Sequence, residues 1–166
     1  MLNVLFLCTH NSARSILAEA LLNHLDRQAP VRRFQAWSAG SSPRPGQQPH
    51  PLALDVLQHA GVSTEGLRSK TWDEFAVPGA PHMDLIITVC DSAAGEVCPV
   101  WPGHPATAHW GYADPSAGDA PDAVKREAFR HTLHEIGRRL ELLMNLPPEK
   151  LEKTLLQDAA RNLATH

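Results

Sequence analysis

Apolar residues fall along this chain in two alternating rhythms, one continuous and one helical. Residues 2–7, Leu-Asn-Val-Leu-Phe-Leu, form a nearly unbroken apolar run, as a strand covered on both faces requires. Ile16, Leu17, Ala20, Leu21 and Leu25 then recur at helical spacing with Glu19, Asn23 and Asp26 between them, which predicts an amphipathic helix over 16–25. Pro30 closes that unit. Residues 33–38 read as a second strand running into Ala39-Gly40 and a loop dense in Ser, Pro and Gly up to Pro51. Strand–helix–strand order predicts a right-handed crossover and a parallel sheet.

Residues 52–60 predict a short helix that Gly61 can terminate. Residues 62–81 are irregular, with a helical turn around Trp72 to Phe75. Residues 84–89, Asp-Leu-Ile-Ile-Thr-Val, are another buried strand and lead directly into Cys90. From 91 to 119 periodicity is weak and Pro, Gly and Trp are frequent, so the stretch reads as one long functional loop. Pro121 opens a long helix with Phe129, Leu133, Ile136, Leu140 and Leu143 on one face. After Pro147-Pro148 a second amphipathic segment aligns Leu151, Leu155, Ala159 and Leu163. The expected organisation is one domain over 1–145 and a helical extension over 146–166, without internal repeats.

Composition narrows the class more than the fold. The 166 residues are 43% hydrophobic and 20% charged, ordinary for a globular domain with a real core. A net charge of -3 without a basic block leaves no footprint for nucleic acid. No apolar stretch reaches membrane-spanning length. The first strand lacks the basic flank of a signal peptide, and three cysteines do not make a disulfide scaffold. A cytoplasmic protein with reduced thiols is expected.

The chemistry is concentrated where the first strand meets the first helix. Cys8-Thr9-His10-Asn11-Ser12-Ala13-Arg14-Ser15 lies between them. Backbone N–H groups of the turn and of the helix start can converge on a tetrahedral oxyanion, with the helix dipole adding favourable potential. Arg14 can grip two of its oxygens through the guanidinium fork. Cys8 then lies beneath the central atom, in a field that favours the thiolate, and Ser15 can donate to the sulfur. A buried strand cysteine can be a mere small hydrophobe, and a first-turn arginine can be merely solvated. However, a cation opposes the dipole at that helix end unless an anion is present.

The second strand-end cysteine, Cys90, belongs to the same sheet rim, where ligands of open parallel sheets gather. Cys90 and Cys98 admit three readings: structural thiols, a redox pair, or half of a zinc site completed by His104 and His109. Zinc fits least, because its motifs space cysteines more tightly. Asp114, in His109-Trp110-Gly111-Tyr112-Ala113-Asp114-Pro115, reads on its own as a turn aspartate before proline. In a functional reading it is a general acid for the oxygen that thiolate attack expels.

With these residues in view, the segment from Cys8 through Glu19 resembles the phosphate loop of low-molecular-weight protein tyrosine phosphatases. Within that superfamily, Val89-Cys90, Cys98-Pro99 and His109-Trp110-Gly111 with Asp114-Pro115 are more similar to the arsenate reductases. The resemblance covers about residues 2–144. It implies a four-stranded parallel sheet flanked by helices, to which an extra C-terminal helix is added. It also implies reduction of arsenate to arsenite, with phosphate or sulfate as competing oxyanions. Cys8 would be the nucleophile, the loop from Thr9 to Arg14 the oxyanion cradle, Ser15 the support of the thiolate and Asp114 the acid. Cys90 would attack Cys8, and Cys98 would carry the disulfide to thioredoxin, or alternatively to a low-molecular-weight thiol with glutaredoxin. No organic cofactor is implied. Potassium is a candidate ion, at positions matching Asn11, Glu19, Ser38 and Asp73.

The chemistry of the cysteines supports the redox side independently. A phosphatase needs a nucleophile and an acid, whereas a reductase needs two electrons, which two thiols becoming one disulfide supply. Two departures favour the same side or modify it: Ser116 and Ala117 follow Asp114-Pro115 where phosphatases usually carry aromatics, and the Cys90–Cys98 interval is one residue longer than in familiar relatives. His10 replaces a frequent glycine in the loop. The rivals are a tyrosine or small-phosphoester phosphatase and a non-catalytic sensor of oxyanions or metal.

Overall fold

In the computed structural model the described residues are 1–90, 105–151 and 153–165. Four parallel strands form one sheet: β1 (Leu2–Cys8), β2 (Phe34–Gly40), β3 (Leu85–Thr88) and β4 (Ala106–His109). Their spatial order is β2-β1-β3-β4. β1 pairs with β2 from Leu2↔Phe34 to Cys8↔Gly40, and with β3 from Val4↔Leu85 to Leu7↔Thr88. The chain leaves β1 toward one side for β2 and returns to the other for β3. The crevice at the carboxyl end of β1 is therefore the topological switch point, where such sheets bind ligands. Cys8 ends the strand at that crevice.

Helices α1 (Arg14–Gln28), α2 (Pro51–His59), α3 (Asp122–Met144) and α4 (Lys153–Leu163) flank the sheet. One continuous core joins Val4, Phe6, Leu85 and Ile87 of the strands to apolar residues of all four helices. The opposite face, with Leu5, Leu7 and Ile86, carries a smaller cluster covered by Trp37, Trp72 and Phe75. The last two belong to a 3-10 turn, Trp72–Phe75, where the sequence predicts one.

Two expectations need correction. The stretch read as a single long loop contains β4, which pairs with β3 from Leu85↔Ala106 to Thr88↔His109. Ala-Thr-Ala-His carries little intrinsic strand preference; pairing and cover make it a strand. In α4 the buried face is Leu156, Ala160 and Leu163, while Ala159 is only half-buried. The side chains of Leu151 and Leu155 lie outside the described set, as do Cys98 and His104. α4 packs on the domain, with Trp110 donating its ring N–H to the Ala160 carbonyl at 2.9 Å.

Candidate active site

β1 is hydrophobic because both its faces are buried, and it delivers Cys8 to the rim at 3% exposure. The chain then turns through five residues before α1 begins at Arg14. Asn11 takes a left-handed conformation, φ 53°, which asparagine tolerates better than most residues. No side chain caps α1 and no acidic residue occupies its first turn. The positive end of the helix therefore faces the turn uncompensated, as an anion site requires.

The loop is laced to the segment that leaves β2. Ser41 and Ser42 donate their backbone N–H to the Cys8 and Thr9 carbonyls at 3.0 and 2.8 Å. His10, in the place where glycine is frequent, bonds the Ser42 carbonyl through Nδ1 at 3.0 Å, so the imidazole braces the loop from outside. Gly40 permits this approach: a Cβ there would lie 2.7 Å from the Thr9 carbonyl oxygen. The His50 N–H closes the cradle on the Ser12 carbonyl at 2.8 Å.

Beneath the loop runs a buried polar chain. Cys8 Sγ lies 2.8 Å from Ser15 Oγ. Asn11 Nδ2 donates both to Ser15 Oγ at 2.8 Å and to Ser38 Oγ at 3.0 Å. Ser38 Oγ donates to Glu19 Oε1 at 2.5 Å. Asn11, Ser15 and Ser38 are all fully buried. Since Ser15 already accepts from Asn11, its one proton is left for the sulfur.

Arg14 donates Nη1 to the Tyr112 carbonyl at 3.1 Å, while its Nε is buried without a partner among the described residues. Buried donors are nearly always satisfied, so this N–H points to a ligand. Asp114 stands exposed at the mouth, with Oδ1 accepting from the Ser116 hydroxyl at 2.7 Å and the Ser116 N–H at 2.9 Å. Partial burial pushes its carboxyl up. The Ser116 bonds and the nearby positive charge of Arg14 and His50 outweigh this, and hold it below the ordinary range. For His50, burial and then Lys125 depress the imidazole, against the pull of Asp114 and Asp122.

Cys90 is buried in the same cluster as Cys8. Leu7 pairs with Thr88, and the Val89 N–H donates to the Leu7 carbonyl at 2.8 Å. Cys90 thus lies just past the end of β3, one residue beyond the level of Cys8. Of the four expected potassium positions, Asn11, Glu19 and Ser38 come together beneath the loop, whereas Asp73 is exposed on the 3-10 turn. Lys70, Ser69, His50 and Ser116 also shape the site, although no motif announces them. Their only sequence signals are polar residues in loops between apolar elements. Ser69 Oγ donates to the Asn11 carbonyl at 2.6 Å. Burial pushes the Glu19 carboxyl up against the opposing pull of Lys70, and burial pushes Lys70 down against the pull of Glu19.

The model of the low molecular weight phosphotyrosine protein phosphatase family matches residues 3–157. The chain is 31% identical over 138 residues to an arsenate reductase of Halalkalibacterium halodurans, covering 83% of this chain and 91% of the relative. The crystal structure of arsenate reductase from Archaeoglobus fulgidus superposes with a TM-score of 0.64 at 28% identity, over 86% of this chain and 99% of the other. A thioredoxin-dependent arsenate reductase of Corynebacterium glutamicum gives a TM-score of 0.55 at 27% identity, over 86% of this chain and 63% of the other.

Proposed function

The chain belongs to the low molecular weight phosphotyrosine protein phosphatase family, and on that premise we propose that it is an arsenate reductase that turns arsenate into arsenite with its own cysteines. The observation that carries this reading is Cys90, buried just past the carboxyl end of β3, the strand beside β1, and one residue past the level of Cys8. Hydrolysis of a phosphoester has no use for a second thiol there; reduction does.

Arsenate binds in the loop between the N–H groups of Thr9 to Ala13 and the Arg14 guanidinium. The Cys8 thiolate attacks the arsenic and an As–O bond breaks, the leaving oxygen taking a proton from Asp114. Cys90 sulfur then attacks Cys8 sulfur. As the S–S bond forms, the As–S bond breaks and its electron pair stays on arsenic, which leaves as arsenite. Cys98 attacks Cys90, frees the Cys8 thiolate and leaves a Cys90–Cys98 disulfide. Thioredoxin returns two electrons and two protons by disulfide exchange. The thioredoxin-dependent relative supports that choice of reductant. A cycle through free thiols needs a reducing compartment, which supports the cytoplasm. Among the described residues no helix is long and apolar enough to cross a membrane.

Disulfide mapping by mass spectrometry after one equivalent of arsenate tests the relay. Wild type is expected to show Cys90–Cys98, and Cys98→Ser to show Cys8–Cys90. Cys8→Ser should abolish arsenate reduction, and Cys90→Ser should stall within one turnover. Full multiple turnover by Cys90→Ser with thioredoxin as sole reductant would sink the intramolecular relay. Aryl phosphate hydrolysis, which Cys8, Arg14 and Asp114 also serve, should persist only as a minor activity in kcat/KM.

A further inference from the structure

Lys70 reaches the loop through both its backbone and its side chain. Its N–H donates to Asn11 Oδ1 at 3.0 Å, and its carbonyl accepts from the Gly40 N–H at 2.8 Å. Its Nζ donates to the Ser38 carbonyl at 2.9 Å and the Arg68 carbonyl at 2.8 Å, and lies 3.8 Å from Glu19 Oε1. The Lys70 side chain is only 9% exposed and that of Glu19 16%. An ammonium has three donors and no acceptor. Two carbonyl oxygens and a carboxylate around it, away from water, are the surroundings of a bound monovalent cation.

We propose that Lys70 is a positioning residue whose ammonium is the resident cation of the loop, in place of a potassium ion. The inference rests on the reading of Cys8 as the nucleophile. The residues present do not fit bound potassium. Asn11 Oδ1 and the Ser38 carbonyl are both taken by Lys70, the Ser38 hydroxyl is committed to Glu19, and Asp73 is exposed. A second cation would also meet the ammonium's repulsion at contact distance. Arg68 and Glu74, the neighbouring charges, satisfy each other through two bonds of 2.9 and 2.7 Å, which leaves Lys70 and Glu19 as the buried pair.

The cation matters because each hydrogen bond above it fixes the direction of the next. Glu19 Oε1, beside the ammonium, accepts from Ser38 Oγ. Ser38 oxygen is then an acceptor for Asn11 Nδ2. The Asn11 amide is held with its oxygen on the Lys70 N–H and its two donors on Ser38 and Ser15. Ser15 is left to donate to Cys8. Without the ammonium the chain loses its anchor at Ser38 and Glu19, and the direction of each bond up to Cys8 is no longer fixed.

The test uses the full chain with Cys90→Ser and Cys98→Ser, so that Cys8 is the sole thiol, and follows its alkylation by iodoacetamide at a fixed, mildly acidic pH. Potassium chloride is compared with tetramethylammonium chloride at equal ionic strength. The parent should alkylate at the same rate in both. Lys70→Ala should be slowed about tenfold in tetramethylammonium, and potassium entering the vacated space should restore most of the rate. Lys70→Met, which fills that space with an apolar group, should be slowed similarly without rescue, and carries the test if Lys70→Ala does not fold. Potassium acceleration of the parent, unchanged rates in the Lys70 variants, or a loss in a folded Lys70→Ala that potassium does not repair would each overturn the proposal. Arsenate takes no part in alkylation, so this result and the fate of the arsenate reading are separate.

Discussion

Asp114 must carry a proton to act as a general acid, yet its surroundings hold it ionised. Burial alone would raise its carboxyl, but the Ser116 hydroxyl and N–H, with Arg14 and His50 nearby, pull it below the ordinary range. The acid form is therefore scarce near neutral pH until an anionic substrate enters and offsets the positive charge. Since kcat/KM reports the free enzyme, the depressed carboxyl should set its basic limb: the rate falls as pH rises through the Asp114 pKa. Ser116→Ala removes the 2.7 Å hydroxyl bond to the charged form and leaves the N–H bond. The Asp114 pKa should rise and the basic limb should move to higher pH. A pH profile of kcat/KM for arsenate checks this; an unmoved limb would show that another group donates the proton. Nothing in Ala113-Asp114-Pro115-Ser116 distinguishes this aspartate from one in an ordinary turn, because Arg14, which acts on its carboxyl, is distant in sequence. Only the family resemblance brings it forward.

The loop between β1 and α1 keeps its shape because a second element gives way to it. β2 ends on Gly40, whose missing side chain leaves room for the Thr9 carbonyl at 2.7 Å and the Asn11 nitrogen at 3.0 Å from where a Cβ would stand. Both close atoms are backbone, so Gly40→Ala must shift the cradle itself. We expect kcat/KM to fall by about tenfold to a hundredfold, the scale of an ångström-level misplacement at a reacting centre, with weaker phosphate binding by calorimetry and an intact far-UV spectrum. Wild-type phosphate affinity in Gly40→Ala would show that the loop accommodates the methyl. Elements differ in how far the sequence announces them, for physical reasons. β1, β3, α1 and α3 bury broad apolar surfaces, and their periodicities are plain. β4 buries two alanines, Ala106 and Ala108, and owes its extended form to β3 and α4. On α4, Leu163 is buried as the spacing expects, while Leu156 and Ala160 are buried beside it and Ala159 only half so, with Ala160 meeting Trp110. At the site, Cys8, Arg14 and Ser15 are contiguous and readable, whereas Lys70 joins them only through the fold.

Across the whole molecule, a four-stranded open sheet has two edges, and each is occupied by side chains of its own helices or loops. On β2, Asp26 Oδ1 accepts the Phe34 N–H at 3.0 Å, Asn23 takes both backbone groups of Ala36 at 2.8 and 3.1 Å, and Lys70 holds the Ser38 carbonyl and the Gly40 N–H. On β4, Gln157 Oε1 accepts the Thr107 N–H at 3.1 Å and Arg161 Nε donates to the Thr107 carbonyl at 3.1 Å. Unpaired edges recruit other chains, so the C-terminal helix has two separable tasks: it fills the core with Leu156, Ala160 and Leu163, and it closes an edge. Leu156→Ala addresses the first. It should cost about 2–5 kcal/mol and lower the melting midpoint by roughly 5–15 °C for a domain of this size, without promoting association in the folded state. Gln157→Ala with Arg161→Ala addresses the second. These half-buried or exposed residues carry little core packing, so the midpoint should fall only slightly, while sedimentation should reveal concentration-dependent self-association absent from the parent. A double variant that remains monodisperse, with the melting loss of Leu156→Ala, would mean that the helix is a packing element and that β4 needs no guard.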